Sequence, residues 1–114
     1  MLRVTAVTAS SEHSEGCSTT AETRSFTARL NFNVGHPAGT VKYRWERSDG
    51  ASGPTKTAPV PVGPTSLDIS TTWNLGGPSL PDGDYWEKVV VFEPNSTSSG
   101  KATISLSAMI CYAN

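Results

Sequence analysis

The chain has 114 residues, is 36% apolar and carries a formal charge of −1 at pH 7, which bounds it to one domain with a modest core. Its nine basic residues are scattered singly, so it lacks the electrostatic footprint of a nucleic-acid binder. No apolar run reaches membrane-spanning length, so no membrane insertion is expected. Ser and Thr supply about a quarter of the residues, with ten Gly and eight Pro, a composition that suits short strands separated by turns better than helices.

Leu2–Ala9 reads as a first strand, A, with imperfect alternation. Met1-Leu2-Arg3 runs straight into it, so no signal peptide is read, and an exported parent would make this chain a mature form or an excised domain with an added Met. Ser10–Thr23 is a polar loop holding Glu12, His13, Glu15, Cys17 and Glu22. Strand B is the clearest: Phe26, Ala28, Leu30, Phe32 and Val34 fall on one face. Gly35–Gly39 connects tightly to strand C, Thr40–Arg47, where Val41, Tyr43 and Trp45 alternate with Lys42, Arg44 and Glu46. Ser48-Asp49-Gly50 ends that strand with turn chemistry.

Ala51–Pro64 contains Pro54, Pro59, Pro61 and Pro64 and is expected to be an edge strand, a loop or both, because proline cannot donate to a sheet ladder. Strand E follows at Ser66–Asn74, with Leu67, Ile69, Thr71 and Trp73 on one face. Strand F spans Asp84–Glu93. Tyr85 inward would place Glu87, Val89 and Val91 beside it, and Trp86, Lys88, Val90 and Phe92 opposite. Neither face is cleanly apolar, so F is either covered on both sides or shifted by a bulge. Pro94–Gly100 is a turn-rich loop, and strand G runs from Lys101 to about Tyr112 with Ala102, Ile104, Leu106, Ala108 and Ile110 inward. Cys111 is out of phase with that set, which calls for a bulge or the end of the sheet near Met109.

Seven short strands without a helical period predict an all-β, Greek-key sandwich over residues 1–114. In that topology the A–B loop and the end of G lie at one pole. Cys17 and Cys111 then meet in a disulfide, and an oxidising compartment follows.

On these residues the chain resembles a family of bacterial immunoglobulin-like domains of the actinobacterial type, found in secreted and membrane-anchored proteins. The likeness rests on Gly16-Cys17, Phe26, the block Val41–Ala51 (Val-Lys-Tyr-Arg-Trp-Glu-Arg-Ser-Asp-Gly-Ala), Trp73, Trp86, Pro94-Asn95, Ala102 and Cys111. The block is its most specific part. The resemblance implies an immunoglobulin-like sandwich at a bacterial cell surface, with Phe26, Tyr43, Trp45, Trp73 and Tyr85 as core signature. Tyr85, in Leu80–Tyr85, would be the tyrosine of the E–F corner, bonding back to the backbone.

Catalysis finds no constellation: there is no Gly-x-Ser-x-Gly elbow and no Cys–His pair. No cofactor is implied. Asp82 and Asp84 flanking Gly83 are a weak calcium signal, and His13 and His36 read as surface histidines. Trp86 and Phe92 are either core residues or an exposed contact patch, and His36 and Asn95 are further candidates for a contact surface. Asn95-Ser96-Thr97 is a formal glycosylation acceptor. The expected function is a non-catalytic extracellular module for adhesion, ligand contact or spacing, with a protein or glycan as partner. The alternative is a self-assembling subunit of a filament or virion surface, for which Met1–Ala9 or Met109–Asn114 would supply the exchanged strand. A carbohydrate-binding module would need a flat, exposed face built from Trp45, Trp73 and Trp86.

Overall fold

The structure, a computed structural model, describes residues 1–77 and 82–112. Its elements are β1 (Val4–Ser11), β2 (Glu15–Cys17), β3 (Glu22–Phe32), β4 (Gly39–Arg47), β5 (Lys56–Val60), β6 (Ser66–Leu75), β7 (Gly83–Glu93), β8 (Thr97–Ser98), β9 (Ala102–Ser107) and a 3-10 helix, Ala108–Tyr112. One sheet has the order β1-β3-β6. The other has the order β2-β9-β7-β4-β5, with β8 also pairing to β7. Each expected strand segment carries a strand, and the short β2 and β8 bring the described total to nine rather than seven.

The two sheets enclose one apolar core. Phe26 and Leu30 from β3, Val41 and Trp45 from β4, Val89 and Val91 from β7, and Ile104 from β9 are all buried in it. Period-two alternation places them there: each strand sends every second side chain inward. Bulges explain the places where alternation breaks. In β1 the register shifts between Val4 and Ala6, so Thr5 is extra and Val4 and Val7 both face the core. In β7, Lys42 pairs with Glu93 while Tyr43 pairs with Val91, so Phe92 is the extra residue and turns outward with Glu93. The rest of β7 keeps one register.

The proline-rich segment is both loop and edge. Lys56–Val60 forms β5 on the rim of its sheet, with Pro59 inside it. Before it, Gly50, at φ +86°, makes the turn that Arg47 closes by donating to Ala51 and accepting from Gly50. Gly76 is fixed more tightly: at φ +100°, a Cβ there would stand 2.3 Å from the Thr20 carbonyl oxygen.

Two sequence expectations are corrected at strand ends. Strand β3 stops at Phe32, so Val34 lies in the following turn at 89% exposure instead of in the core. Strand G stops at Ser107, and Ala108–Tyr112 coil into a 3-10 turn, so Ala108 and Ile110 are not inward strand positions. Local capping explains the change: Ser107 Oγ accepts from the Met109 amide at 3.1 Å and Asp82 Oδ1 from the Ala108 amide at 3.1 Å. The turn also delivers Cys111 to Cys17. Strand β2 runs parallel to β9 with Cys17 opposite Ser107, and the disulfide joins the two cysteines with Cα atoms 4.8 Å apart.

Candidate functional site

The outward side of β7 carries Trp86, Lys88, Val90 and Phe92, the first three half-buried and Phe92 37% exposed. Cations from β4, from β7 itself and from the residue before β9 lie over the rings. Lys101 Nζ lies 4.5 Å and Lys88 Nζ 5.8 Å from the Trp86 ring centre, and the Arg44 guanidinium lies 5.0 Å from that of Phe92. Arg44 forks onto Glu46 Oε2 at 3.0 and 2.7 Å. Glu46 faces Lys88 across the β4–β7 pair at 4.0 Å, and Lys42 meets Glu93 at 3.4 Å. Each exposed cation–π contact is worth about 0.5–1 kcal/mol, and each surface ion pair less than about 1. The face is therefore an aromatic stripe under loosely held charges. A partner can displace those charges at small cost and stack on the rings.

Trp86 and Phe92 thus belong to an outer patch and not to the core. The remaining site candidates are distributed differently. Phe26, Tyr43, Trp45 and Trp73 are buried in the core. Tyr85 is half-buried and meets Trp73 edge-on, with ring centres 5.8 Å apart. With Trp45 and Trp73 at 4% and 6% exposure, no flat face of three tryptophans exists.

His36 is not a surface residue. It is 1% exposed, with Nδ1 2.8 Å from the Pro37 carbonyl and Nε2 2.5 Å from that of Pro64. Two carbonyl acceptors, Pro64 and then Pro37, favour a proton on each nitrogen and raise its pKa above the ordinary value. The ring stitches the turn after β3 to the loop before β6. Asn95 is half-buried and also inward-engaged: its side-chain amide pairs with the backbone of Val4.

Asp82 and Asp84 serve as local acceptors. Asp82 takes the Ser18 hydroxyl as well as the Ala108 amide, and Asp84 takes the Ser105 hydroxyl at 2.7 Å. Leu80 and Pro81 of the same motif lie outside the described residues. Among the described residues, no three His, Cys, Asp or Glu side chains gather as a metal donor set.

Glu87, which the sequence places in phase with Val89 and Val91 and offers with Lys88 as a cross-strand partner for the charged face of β4, takes the first of these positions, and Lys88 the second. Glu87 points inward between the sheets with Val89 and Val91, at 1% exposure. Burial pushes its carboxyl up to about 7, with the Arg47 charge opposing and Asp49 reinforcing the rise. The signal for it was an acidic residue in phase with the apolar side of β7.

No family model matches the chain, and no curated protein matches it. Among solved structures, the CARDB domain of a Pyrococcus furiosus protein, crystallised in complex with di-metal ions, superposes with a TM-score of 0.63 at 14% identity, over 93% of this chain and 92% of that one. The likeness is one of fold. A second solved chain, a structural-genomics target, covers 93% of this chain and 85% of its own at 18% identity, but with a TM-score of 0.32 it carries no weight.

Proposed function

We propose that the chain is a non-catalytic, immunoglobulin-like extracellular module, of the bacterial family its Val41–Ala51 block resembles, that makes contacts at a cell surface through the outer face of β7. The observation that carries this reading is the stripe Trp86–Phe92 with Lys88, Lys101 and Arg44 over its rings. Aromatic and arginine side chains at the centre of a patch are the usual anchors of recognition. Two further features support it. The Cys17–Cys111 disulfide fits a protein that matures in an oxidising compartment. The fold shared with the CARDB domain supports an all-β module of this kind. The di-metal binding of that neighbour is not extended to this chain, whose described residues gather no comparable donors.

The test is binding of labelled protein to bacterial cell envelopes and to a glycan array, alone and with Trp86→Ala/Phe92→Ala. Loss of binding in a variant that melts like the parent supports the reading. Equal binding by parent and variant overturns the assignment to this face.

A second reading, self-assembly, is favoured by β6, ten residues long at the edge of its sheet. The segments expected to exchange strands are otherwise engaged. Val4–Ala9 pair with β3, and Cys111 is held in the disulfide, while Ala113 and Asn114 lie outside the described residues. Size-exclusion chromatography with light scattering decides: a monomer at high concentration removes the assembly reading.

A further inference from the structure

A cleft of about 220 Å³ opens between the two sheets where β6 faces β4 and β7, and its walls include Trp45, Arg47, Lys56, Thr71, Thr72 and Glu87. Two features mark it as built. First, the loop after β4 is fastened over Trp45: the Gly53 amide donates to the Trp45 carbonyl at 2.9 Å, and Ser52 bridges to Glu46. The rim is fixed by Arg47, which forks onto Asp49 at 3.3 and 2.7 Å and stacks 4.5 Å from the Trp73 ring centre. Second, two of the wall residues hold a buried polar atom without a protein partner. These are Trp45 Nε1, a donor on a residue 4% exposed, and Glu87 Oε2, an acceptor on a residue 1% exposed. A buried polar atom costs stability unless something bonds it. Two residues of one cleft wall thus hold a donor and an acceptor left over, a demand with defined chemistry.

We infer that this cleft binds a small, neutral, hydroxyl-rich ligand of monosaccharide size, which accepts a hydrogen bond from Trp45 Nε1 and donates one to Glu87 Oε2. The wall chemistry selects this class. The indole, Arg47, Lys56 and the two threonines offer mostly donors, so the ligand must be rich in oxygen. Glu87 repels an anion, while Arg47 and Lys56 repel a cation. A hydroxyl both donates and accepts, so a ligand rich in hydroxyls can offer a partner to each kind of atom. The site is separate from the outer stripe of β7, on the opposite side of that strand, so either can fail without the other.

The experiment is a titration of the ¹⁵N-labelled protein, with its disulfide intact, followed through its three indole N–H signals. The probes are D-glucose, D-galactose, D-mannose, N-acetyl-D-glucosamine and, as a cationic control, ethanolamine. The expected result is a saturable shift of the Trp45 indole signal with at least one neutral sugar, while the Trp73 and Trp86 signals stay in place. At pH 8, where Glu87 is ionised, Glu87→Gln should weaken that binding about 10-fold or more, the scale of one hydrogen bond to a charged acceptor. Should Glu87→Gln not fold, Thr71→Val, which removes a wall hydroxyl, must weaken the same shift. Three outcomes overturn the inference: no Trp45 shift with any sugar, equal shifts at all three indoles, or a Trp45 shift with ethanolamine only.

Discussion

The side chain of Asn95 pairs with the backbone of Val4 in both directions: the Val4 amide donates to Oδ1 at 2.8 Å, and Nδ2 donates to the Val4 carbonyl at 3.0 Å. The amide acts as a one-residue strand, tying the loop after β7 to the start of β1 across 91 positions of sequence. Asn95→Ala leaves both backbone groups of Val4 without this partner, and the expected loss is about 1–3 kcal/mol. Urea denaturation with an unchanged m-value would show it. A loss under 0.5 kcal/mol would mean that water replaces the amide freely. The same geometry argues against use of the glycosylation acceptor, because the nitrogen that would be modified is the one bonded to Val4.

Removing the disulfide should weaken the fold substantially. It closes 94 residues of chain, for which the entropic model gives roughly 4–5 kcal/mol. Cys17→Ser/Cys111→Ser should therefore unfold at markedly lower urea concentration than the oxidised parent. Addition of reductant should shift the parent toward the variant and leave the variant unchanged.

Stability should fall as pH rises, in two adjoining windows. Glu87 has a folded pKa near 7 against an ordinary value of 4.5, so between these values the folded state holds a proton that the unfolded state has released. Unfolding then becomes easier with rising pH, by up to about 3 kcal/mol once Glu87 is ionised. Glu87→Gln should flatten this window and leave the protein more stable than the parent at pH 8.

His36, raised above its ordinary 6.5, contributes stability that is fully present below that value and lost as pH climbs through its folded pKa. An NMR titration of the ring should place its midpoint above 6.5. A midpoint below it would mean that the two carbonyls do not hold a charged ring.

Trp86 and Trp45 should respond oppositely to truncation. Trp86→Ala, on the outer face, is expected to cost no more than about 1 kcal/mol, whereas Trp45→Ala, in the core, should cost about 3–5. Thermal and urea unfolding of the two variants make the comparison. Equal losses would mean that the outer stripe is structural.

The strands were legible because their signal is local. Alternation of Phe26, Ala28, Leu30 and Phe32 marks β3 without help from any other segment, and Thr40–Arg47 does the same for β4. One fault in the pattern had a local meaning: the irregular phase of Leu2–Ala9 is the bulge at Thr5, whereas β7 keeps one register from Gly83 to Val91, and its bulge at Phe92 does not account for its two apolar faces. His36 was misread because nothing in Gly35–Gly39 announces that Pro64, 28 residues on, will present a carbonyl to its ring. The 3-10 turn was missed for the same reason. Its cap includes Asp82, 26 residues before Ala108.

The sequence by itself determined that this is an all-β chain, where most of its strands run, which faces are apolar, and that Cys17 and Cys111 sit at places a sandwich would join. Hydrophobic periodicity and turn chemistry act over a few residues, so they can be read from a few residues. Only the tertiary structure decided that Glu87 and Trp45 line one cleft, that His36 fastens two loops, and that Asn95 stands in for a strand. Each of these depends on which distant backbone or side chain supplies the missing partner. That is settled when the two sheets close on each other, and no local pattern carries it.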